Sequence, residues 1–211
     1  KKYADSLVQF NNLLLEKQIA PKLKSDILRY AAETYLNSGN KIDGELIQYY
    51  DNFIRNIAEN KITDKESLDY LDNISVKTGD FYYELKEYSK SYHYYSFVKN
   101  FGSQTSNSIE KFAIAAFNIK NYKDSSRLFN GLIINNKLKN SVTPKYYLYS
   151  GFCSYYLNNY EQAYSEIYKS GAFNSKNDNP EFNKIFGKLL IYKNEHKKAE
   201  PFLEFAVSKL K

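Results

Sequence analysis

The sequence predicts an all-α fold, a superhelical array of antiparallel helix pairs with about eleven helices. Three observations lead to this prediction. Residue classes recur with a period near 36 residues, and prolines stand where helices are expected to begin. No segment alternates apolar and polar residues for long enough to predict a sheet.

Composition places the chain of 211 residues among globular proteins, because 43% of the residues are hydrophobic and 26% are charged. The net charge of +6 is a mild excess, and no apolar run reaches the roughly eighteen residues of a membrane-spanning helix. The chain starts at Lys1 and contains neither methionine nor tryptophan, which we interpret as a trimmed or mature product. Its frequent Lys, Asn, Ile, Tyr and Phe indicate the AT-rich genome of a bacterium.

Glycines and prolines reveal the repeat. Gly79, Gly151 and Gly187 are separated by 72 and 36 residues, which correspond to two periods and one. Pro144 and Pro180 are also 36 residues apart, and each precedes one of these glycines by seven residues. Since proline suits the first turn of a helix, each proline predicts a helix start.

Three further residue classes follow each glycine, and Ala113 takes the glycine's place in one unit. Nine residues on stands a ring: Tyr88, Tyr122, Tyr160 or His196. Three residues later stands a small residue: Ser91, Ser125, Ala163 or Ala199. Four residues later stands a bulky one: Tyr95, Phe129, Ile167 or Leu203. The four units are offset by 34, 38 and 36 residues, which is too regular for chance.

This pattern of small, aromatic, small and bulky residues resembles the tetratricopeptide repeat (TPR). The resemblance implies a right-handed superhelix of helix pairs that binds other proteins. A capping helix at 1–20 would precede a repeat domain at 21–211. The repeat units of that domain are expected near 25–58, 72–99, 106–133, 144–171 and 180–207.

Individual residues sharpen the predicted helix ends. The first helix should stop before Pro21, and Thr63 with Glu66 should form a capping box for a later helix. Pro201 falls inside the last helix, where proline costs about 3 kcal/mol, so we expect a kink or a late start there. Tyrosines of the repeat are expected to pack, with rings buried and hydroxyls reaching polar partners.

The TPR family binds peptides in a groove lined by the first helix of each pair, so matched positions are candidate partner contacts. These candidates are Tyr83, Phe117, Lys145, Phe152, Tyr155, Tyr156, Lys184 and Lys188. The aromatic members suit an apolar peptide, and Lys184 with Lys188 suit an acidic segment. Two alternatives remain open: the N-terminal helix fills the groove, or the two lysines are simply solvated.

The sequence contains no recognised catalytic, phosphate-binding or metal-binding motif, so neither an enzyme nor a cofactor is expected. Cys153 lies within a predicted helix as an inert buried thiol. His93 and His196 are expected to be structural, and His196 takes a packing position of the repeat.

The favoured function is a non-enzymatic scaffold for protein–protein interaction, with a partner protein of unknown identity. Its setting would be the bacterial cell envelope, in assembly or stability of a membrane-associated partner, and the alternative location is the cytoplasm. The alternative function is nucleic-acid binding through lysines interleaved with aromatic rings. Glutamates interrupt those lysines and arginine is scarce, which makes this alternative less favourable.

Overall fold

A computed structural model describes residues 2–16, 18–98, 106–137, 143–174 and 178–209. Within these ranges the protein is all-α, with eleven α-helices and one short 3-10 helix at Ala172–Asn174, as the sequence predicted. The helices are α1 (Lys2–Leu14), α2 (Pro21–Asn37), α3 (Gly44–Glu59), α4 (Lys65–Glu84), α5 (Tyr88–Tyr95), α6 (Ser106–Asn118), α7 (Tyr122–Lys137), α8 (Pro144–Tyr156), α9 (Tyr160–Ser170), α10 (Pro180–Tyr192) and α11 (His196–Lys209).

The chain divides into two compact units, which we call the N-terminal unit (1–103) and the C-terminal unit (104–211). In the N-terminal unit α1 packs on α2, and the hairpins are α2–α3 and α4–α5. In the C-terminal unit the hairpins are α6–α7, α8–α9 and α10–α11. These five hairpins follow one another along the chain.

Prolines open three helices, and the starts at Pro144 and Pro180 were expected. Pro21, Pro144 and Pro180 each lie in the first turn, where a missing N–H group has no helical partner to lose. The first helix ends at Leu14, well before Pro21.

The predicted capping box at Thr63 and Glu66 is wrong. Asp64 caps α4 instead, because its carboxylate accepts a hydrogen bond from the Ser67 N–H at 3.0 Å. Glu66 is turned away from the cap and forms an ion pair with Arg29 of α2.

The last helix contains two departures from expectation. Pro201 lies inside α11, which begins at His196, so the helix does not start late. His196 itself is exposed in the first turn of α11, and the prediction that it packs in the repeat is wrong. The ring-bearing residue of the neighbouring repeat, Tyr160, is half-buried.

Close packing within the hairpins explains the recurring glycines. A Cβ atom on Gly79 would lie 2.8 Å from the Tyr95 ring, and one on Gly187 would lie 2.7 Å from Leu203. These distances are too short for real atoms, so glycine at these positions lets the two helices of the pair approach this closely. The small and bulky positions of the repeat are therefore partners across each hairpin.

Serine at the second small position adds a hydrogen bond to this contact. Ser91 Oγ donates to the Gly79 carbonyl at 2.9 Å, and Ser125 Oγ donates to the Ala113 carbonyl at 2.9 Å. Both serines are fully buried, so the hydroxyl is satisfied where water is excluded.

The turn inside four of the five hairpins repeats as well. Its central residue has a positive φ near 60°, and the four members are Lys86, Lys120, Asn158 and Asn194. They are spaced by 34, 38 and 36 residues, which is the spacing of the repeat units. Each is followed by a residue whose N–H bonds back five positions, as Asn159 does to the Ser154 carbonyl at 2.8 Å. The same helix-ending turn thus recurs in the last four hairpins of this chain.

The N-terminal helix packs on the core of its own unit. Leu7, Phe10 and Leu14 of α1 contact that core, and Tyr49 of α3 donates a hydrogen bond to Asn11 at 2.9 Å. Among the described helices, none combines the length and the apolarity that crossing a membrane requires.

Candidate interaction surface

Each of three hairpins pairs an aromatic residue near the end of its first helix with a tyrosine that begins its second helix. The ring centroids are 5.8 Å apart for Tyr83 and Tyr88, 5.5 Å for Phe117 and Tyr122, and 5.6 Å for Tyr155 and Tyr160. The predicted sites Tyr83, Phe117 and Tyr155 are therefore equivalent, and each lies beside the turn of its hairpin.

In the C-terminal unit these pairs join into a continuous row of rings, which we call the aromatic row. Its members in spatial order are Phe117, Tyr122, Tyr156, Tyr155, Tyr160 and Tyr192. Tyr122 and Tyr156 stack nearly parallel at 4.3 Å, and the row ends where the ring of Tyr160 meets that of Tyr192 at 5.4 Å. Tyr192 is 47% exposed, while the other five rings are half-buried.

Charged groups adjoin the middle of the row. The Tyr156 hydroxyl donates to the carboxylate of Glu181, and Lys184 pairs with the same carboxylate at 2.8 Å. Burial and the nearby Glu181 charge raise the pKa of Tyr122, so its hydroxyl stays protonated. The centre of the row is thus an aromatic surface bordered by charged groups rather than a purely apolar one.

Two predicted lysines share a helix face with the end of the row. Lys184, Lys188 and Tyr192 are spaced four residues apart on α10, which places them on one side of the helix. Lys188 is exposed, and no ion pair links it to another part of the chain that the structure describes. It is the lysine best placed to meet an incoming carboxylate.

The other predicted sites lie elsewhere. Lys145 is in the first turn of α8, roughly 15 Å along the helix from Tyr155, and it pairs with Glu110 of α6 at 2.6 Å. Phe152 is only 4% exposed and packs in the core of the C-terminal unit behind the row. Tyr83 belongs to the N-terminal unit.

Tyrosine hydroxyls donate to carboxylates at several helix junctions, which accounts for much of the tyrosine content. Tyr94 of α5 donates to Asp51 of α3 at 2.7 Å, and Tyr164 of α9 donates to Glu195 at 3.0 Å. Tyr146 of α8 likewise donates to Glu110 at 2.9 Å. Each side chain fills apolar space with its ring and ties two elements together with its hydroxyl.

Groups that could perform covalent or metal chemistry do not assemble in the described residues. Cys153 is fully buried, and burial raises the pKa of its thiol to about 11, as expected of an inert cysteine. His93 is exposed and contacts the rings of Phe97 and Tyr94. No group of three or more His, Cys, Asp or Glu side chains in the described ranges could hold a metal ion.

Three members of the row were missed as surface residues by sequence reasoning. Tyr122 and Tyr160 occupy the aromatic repeat position, which predicts packing, and Tyr192 is not among the predicted partner contacts. A signal was nevertheless present, because each of Tyr122 and Tyr160 follows an aromatic residue by five positions across a hairpin turn.

Comparison with known proteins supports the fold. No protein-family model matches the chain, and no curated protein matches it. Among solved structures, MamA from Desulfovibrio magneticus RS-1 (residues 41 to the end) is 14% identical, with 88% of this chain and 94% of that chain covered and a TM-score of 0.50. A tetratricopeptide repeat protein from Parabacteroides merdae ATCC 43184 is 18% identical over 98% of this chain and 72% of that chain, with a TM-score of 0.43.

At these identities the likeness concerns the fold alone. Together with the hairpin geometry, it shows that this protein has a TPR-like helical-repeat fold, as its sequence predicted.

Proposed function

We propose that this protein is a scaffold that binds a partner polypeptide across the aromatic row of its C-terminal unit. The observation that carries the proposal is the continuity of the row: six rings from five successive helices lie in contact along one surface. Aromatic residues supply most of the binding free energy at protein interfaces, because they bury a large area with few rotatable bonds.

The partner segment would be apolar with at least one acidic residue. Its apolar side chains would cover the rings of Tyr155 and Tyr192, and its carboxylate would reach Lys188. Lys184 is shared with Glu181, so it would contribute less unless that pair opens. Tyr83 and Lys145 are proposed as outlying contacts, and Phe152 as the support behind the row.

Ion pairing of the lysines favours a protein partner over nucleic acid. Lys145, Lys184, Lys193 and Lys198 each pair with a glutamate, which leaves fewer positive charges to neutralise phosphates. Binding of a protein partner through aromatic contacts should persist at moderate salt, because these contacts are not ionic, and it should persist after nuclease treatment.

The test places a photo-crosslinking amino acid, p-benzoylphenylalanine, at Tyr155 in the full chain and captures partners from the source organism. We expect one or two crosslinked proteins that survive nuclease treatment and moderate salt. The same probe at Tyr168, which is 54% exposed on α9 outside the row, serves as the matched control. Equal crosslinking from both positions, or recovery that disappears with nuclease, would contradict the proposal.

A second arm measures binding of the captured partner to the purified variant Tyr155→Ala/Tyr192→Ala. Both side chains are at least partly exposed, so the variant should fold while its affinity falls by roughly a hundredfold or more. Full affinity in a folded double variant would exclude the aromatic row as the binding surface.

The finer proposal concerns the cellular setting, namely a membrane-associated partner in the bacterial cell envelope. Its support is a shared architecture, because similar repeat chains occur in envelope assembly proteins. Fractionation of the source cells tests it, since co-sedimentation with membranes is expected and a purely soluble distribution would contradict it.

A further inference from the structure

The N-terminal unit contains a cleft of about 380 Å³ between α2, α3 and α4. Its lining includes Arg29, Glu33, Tyr50, Asp69, Tyr70 and Lys77. Lys22 at the start of α2 bonds to Asp64 and to Ser67 of α4, both at 3.1 Å, which holds the two helices side by side. These bonds fix the two helices that form the cleft. The volume of the cleft is at the lower end of the roughly 300–1,000 Å³ found for ligand pockets.

Two tyrosine hydroxyls lie in the cleft without a protein partner. Tyr50 is 2% exposed, and Tyr70 is half-buried with its ring edge-on to Phe53 at 4.9 Å. Neither hydroxyl forms a hydrogen bond with another described residue, and neither oxygen is among the fully buried unpaired atoms, so both are accessible from the cleft. Burial raises the pKa of Tyr50 to about 12 and that of Tyr70 further, so both remain phenols at neutral pH. Both hydroxyls are therefore available to a ligand in the cleft.

The charges around the cleft indicate the sign of that ligand. Glu33 and Asp69 are exposed at its rim, and neither pairs with another residue in the described ranges. Arg29 is balanced by Glu66, which leaves Lys77 as a single opposing cation against two carboxylates. The Arg29 Nε–H also lacks a partner, but it is sealed from solvent and out of a ligand's reach. The excess of negative charge disfavours an anion and favours a cation.

We propose that this cleft binds the cationic end of a lysine or arginine side chain of a partner polypeptide. The ammonium or guanidinium group would donate hydrogen bonds to the carboxylates of Glu33 and Asp69. The phenol oxygens of Tyr50 and Tyr70 would accept hydrogen bonds from further N–H groups of the same cation. The site lies in the N-terminal unit and does not depend on the aromatic row.

The test titrates the full chain with small probes and follows backbone amide chemical shifts by NMR. N-acetyl-arginine amide and N-acetyl-lysine amide carry the cation, N-acetyl-citrulline amide is the neutral isostere, and N-acetylglycine carries an anion. At least one cationic probe should give saturable shifts at residues of α2 and α4, with roughly tenfold weaker binding of the citrulline probe.

Variants assign the effect to the cleft. Glu33→Gln, Asp69→Asn and Tyr70→Phe should each weaken the cationic probe, while Glu59→Gln, an exposed residue of α3 outside the cleft, should leave its affinity unchanged. Circular dichroism checks that every variant folds. The proposal is overturned if neither cationic probe saturates, if the citrulline probe binds equally well, or if N-acetylglycine binds more tightly. Because the probes report on this cleft alone, these outcomes leave the aromatic row untouched.

Discussion

Gly151 of α8 lies directly against Ile167 of α9, so that a Cβ atom on the glycine would stand 2.6 Å from Ile167 Cγ1. It would also stand 3.1 Å from the Ile167 backbone nitrogen, which cannot move aside as a side-chain tip can. The contact joins two residues sixteen positions apart, as do the equivalent contacts of Gly79 and Gly187. This spacing fixes the register of the repeat.

Gly151→Ala should therefore destabilise the protein. Overpacking costs about 1–3 kcal/mol in the free energy of unfolding, which exceeds the roughly 1 kcal/mol that alanine gains over glycine in a helix. Urea unfolding monitored by circular dichroism measures the difference.

Gly131→Ala is the matched control for this change. Gly131 lies in α7, and a Cβ atom there would meet nothing within 4 Å, so the substitution should stabilise by about 0.5–1 kcal/mol. If both substitutions stabilised the protein, the register of the hairpins would be wrong.

Lys120→Gly should stabilise the protein, although glycine usually weakens folded chains. Lys120 has φ of 63° in the turn between α6 and α7, where a side chain costs about 1–2 kcal/mol and glycine does not. Lys123→Gly, one turn later and inside α7, should instead destabilise by about 1 kcal/mol. Thermal unfolding of the two variants should therefore shift the midpoint in opposite directions.

The stability of the protein should fall in acid partly through Asp64. Hydrogen bonds from the Ser67 backbone and hydroxyl, together with Lys22, lower the pKa of Asp64 to about 2. A carboxylate with a lowered pKa stabilises the fold above its unfolded pKa and loses that contribution as the pH falls through its folded pKa. Asp64→Asn should thus unfold at lower urea than the natural protein at pH 7, and the gap should narrow towards pH 2.

Asp69→Asn provides the comparison for Asp64, because Asp69 lies on the same helix and has no hydrogen-bond partner in the described residues. Its urea midpoint at pH 7 should stay close to that of the natural protein. A gap for Asp64→Asn that stays constant from pH 7 to pH 2 would show that the capping carboxylate is not responsible.

Phe152→Ala should lower the free energy of unfolding by about 3–5 kcal/mol, because the ring is buried among Phe117, Tyr149 and the core of its unit. Loss of partner binding in this variant would then report unfolding rather than a missing contact. Tyr155→Ala, by comparison, should change stability less because its ring is half-buried. Paired unfolding and binding measurements on the two variants separate these effects.

The repeat architecture could be predicted because a hairpin that needs close approach restricts residue size at fixed spacing. The capping residue of α4 could not be predicted, because Thr63 and Asp64 are both good caps and only the backbone geometry selects Asp64. The exposure of His196 could not be predicted from its repeat position either. In three other hairpins a ring five residues earlier packs against this position, but before His196 that residue is Ile191, which has no ring.

The candidate surface was less predictable than the fold. Positions carried over from the TPR family identified Tyr155 and Tyr156, but family positions do not state which rings touch. The row depends on ring contacts such as Tyr122 with Tyr156, which join different hairpins and follow from the stacking of repeats. The cleft at Tyr50 and Tyr70 has no motif at all, because its residues come from three helices and share no spacing.

Cys153, the single cysteine of the chain, is a natural probe of local opening in the C-terminal unit. Because its sulfur is buried in the last turns of α8, a thiol reagent can modify it only while that helix is detached from its neighbours. The rate of labelling therefore counts spontaneous openings of one half of the protein, without any introduced dye or tag. A partner bound to the aromatic row would lower the rate at which Cys153 is labelled.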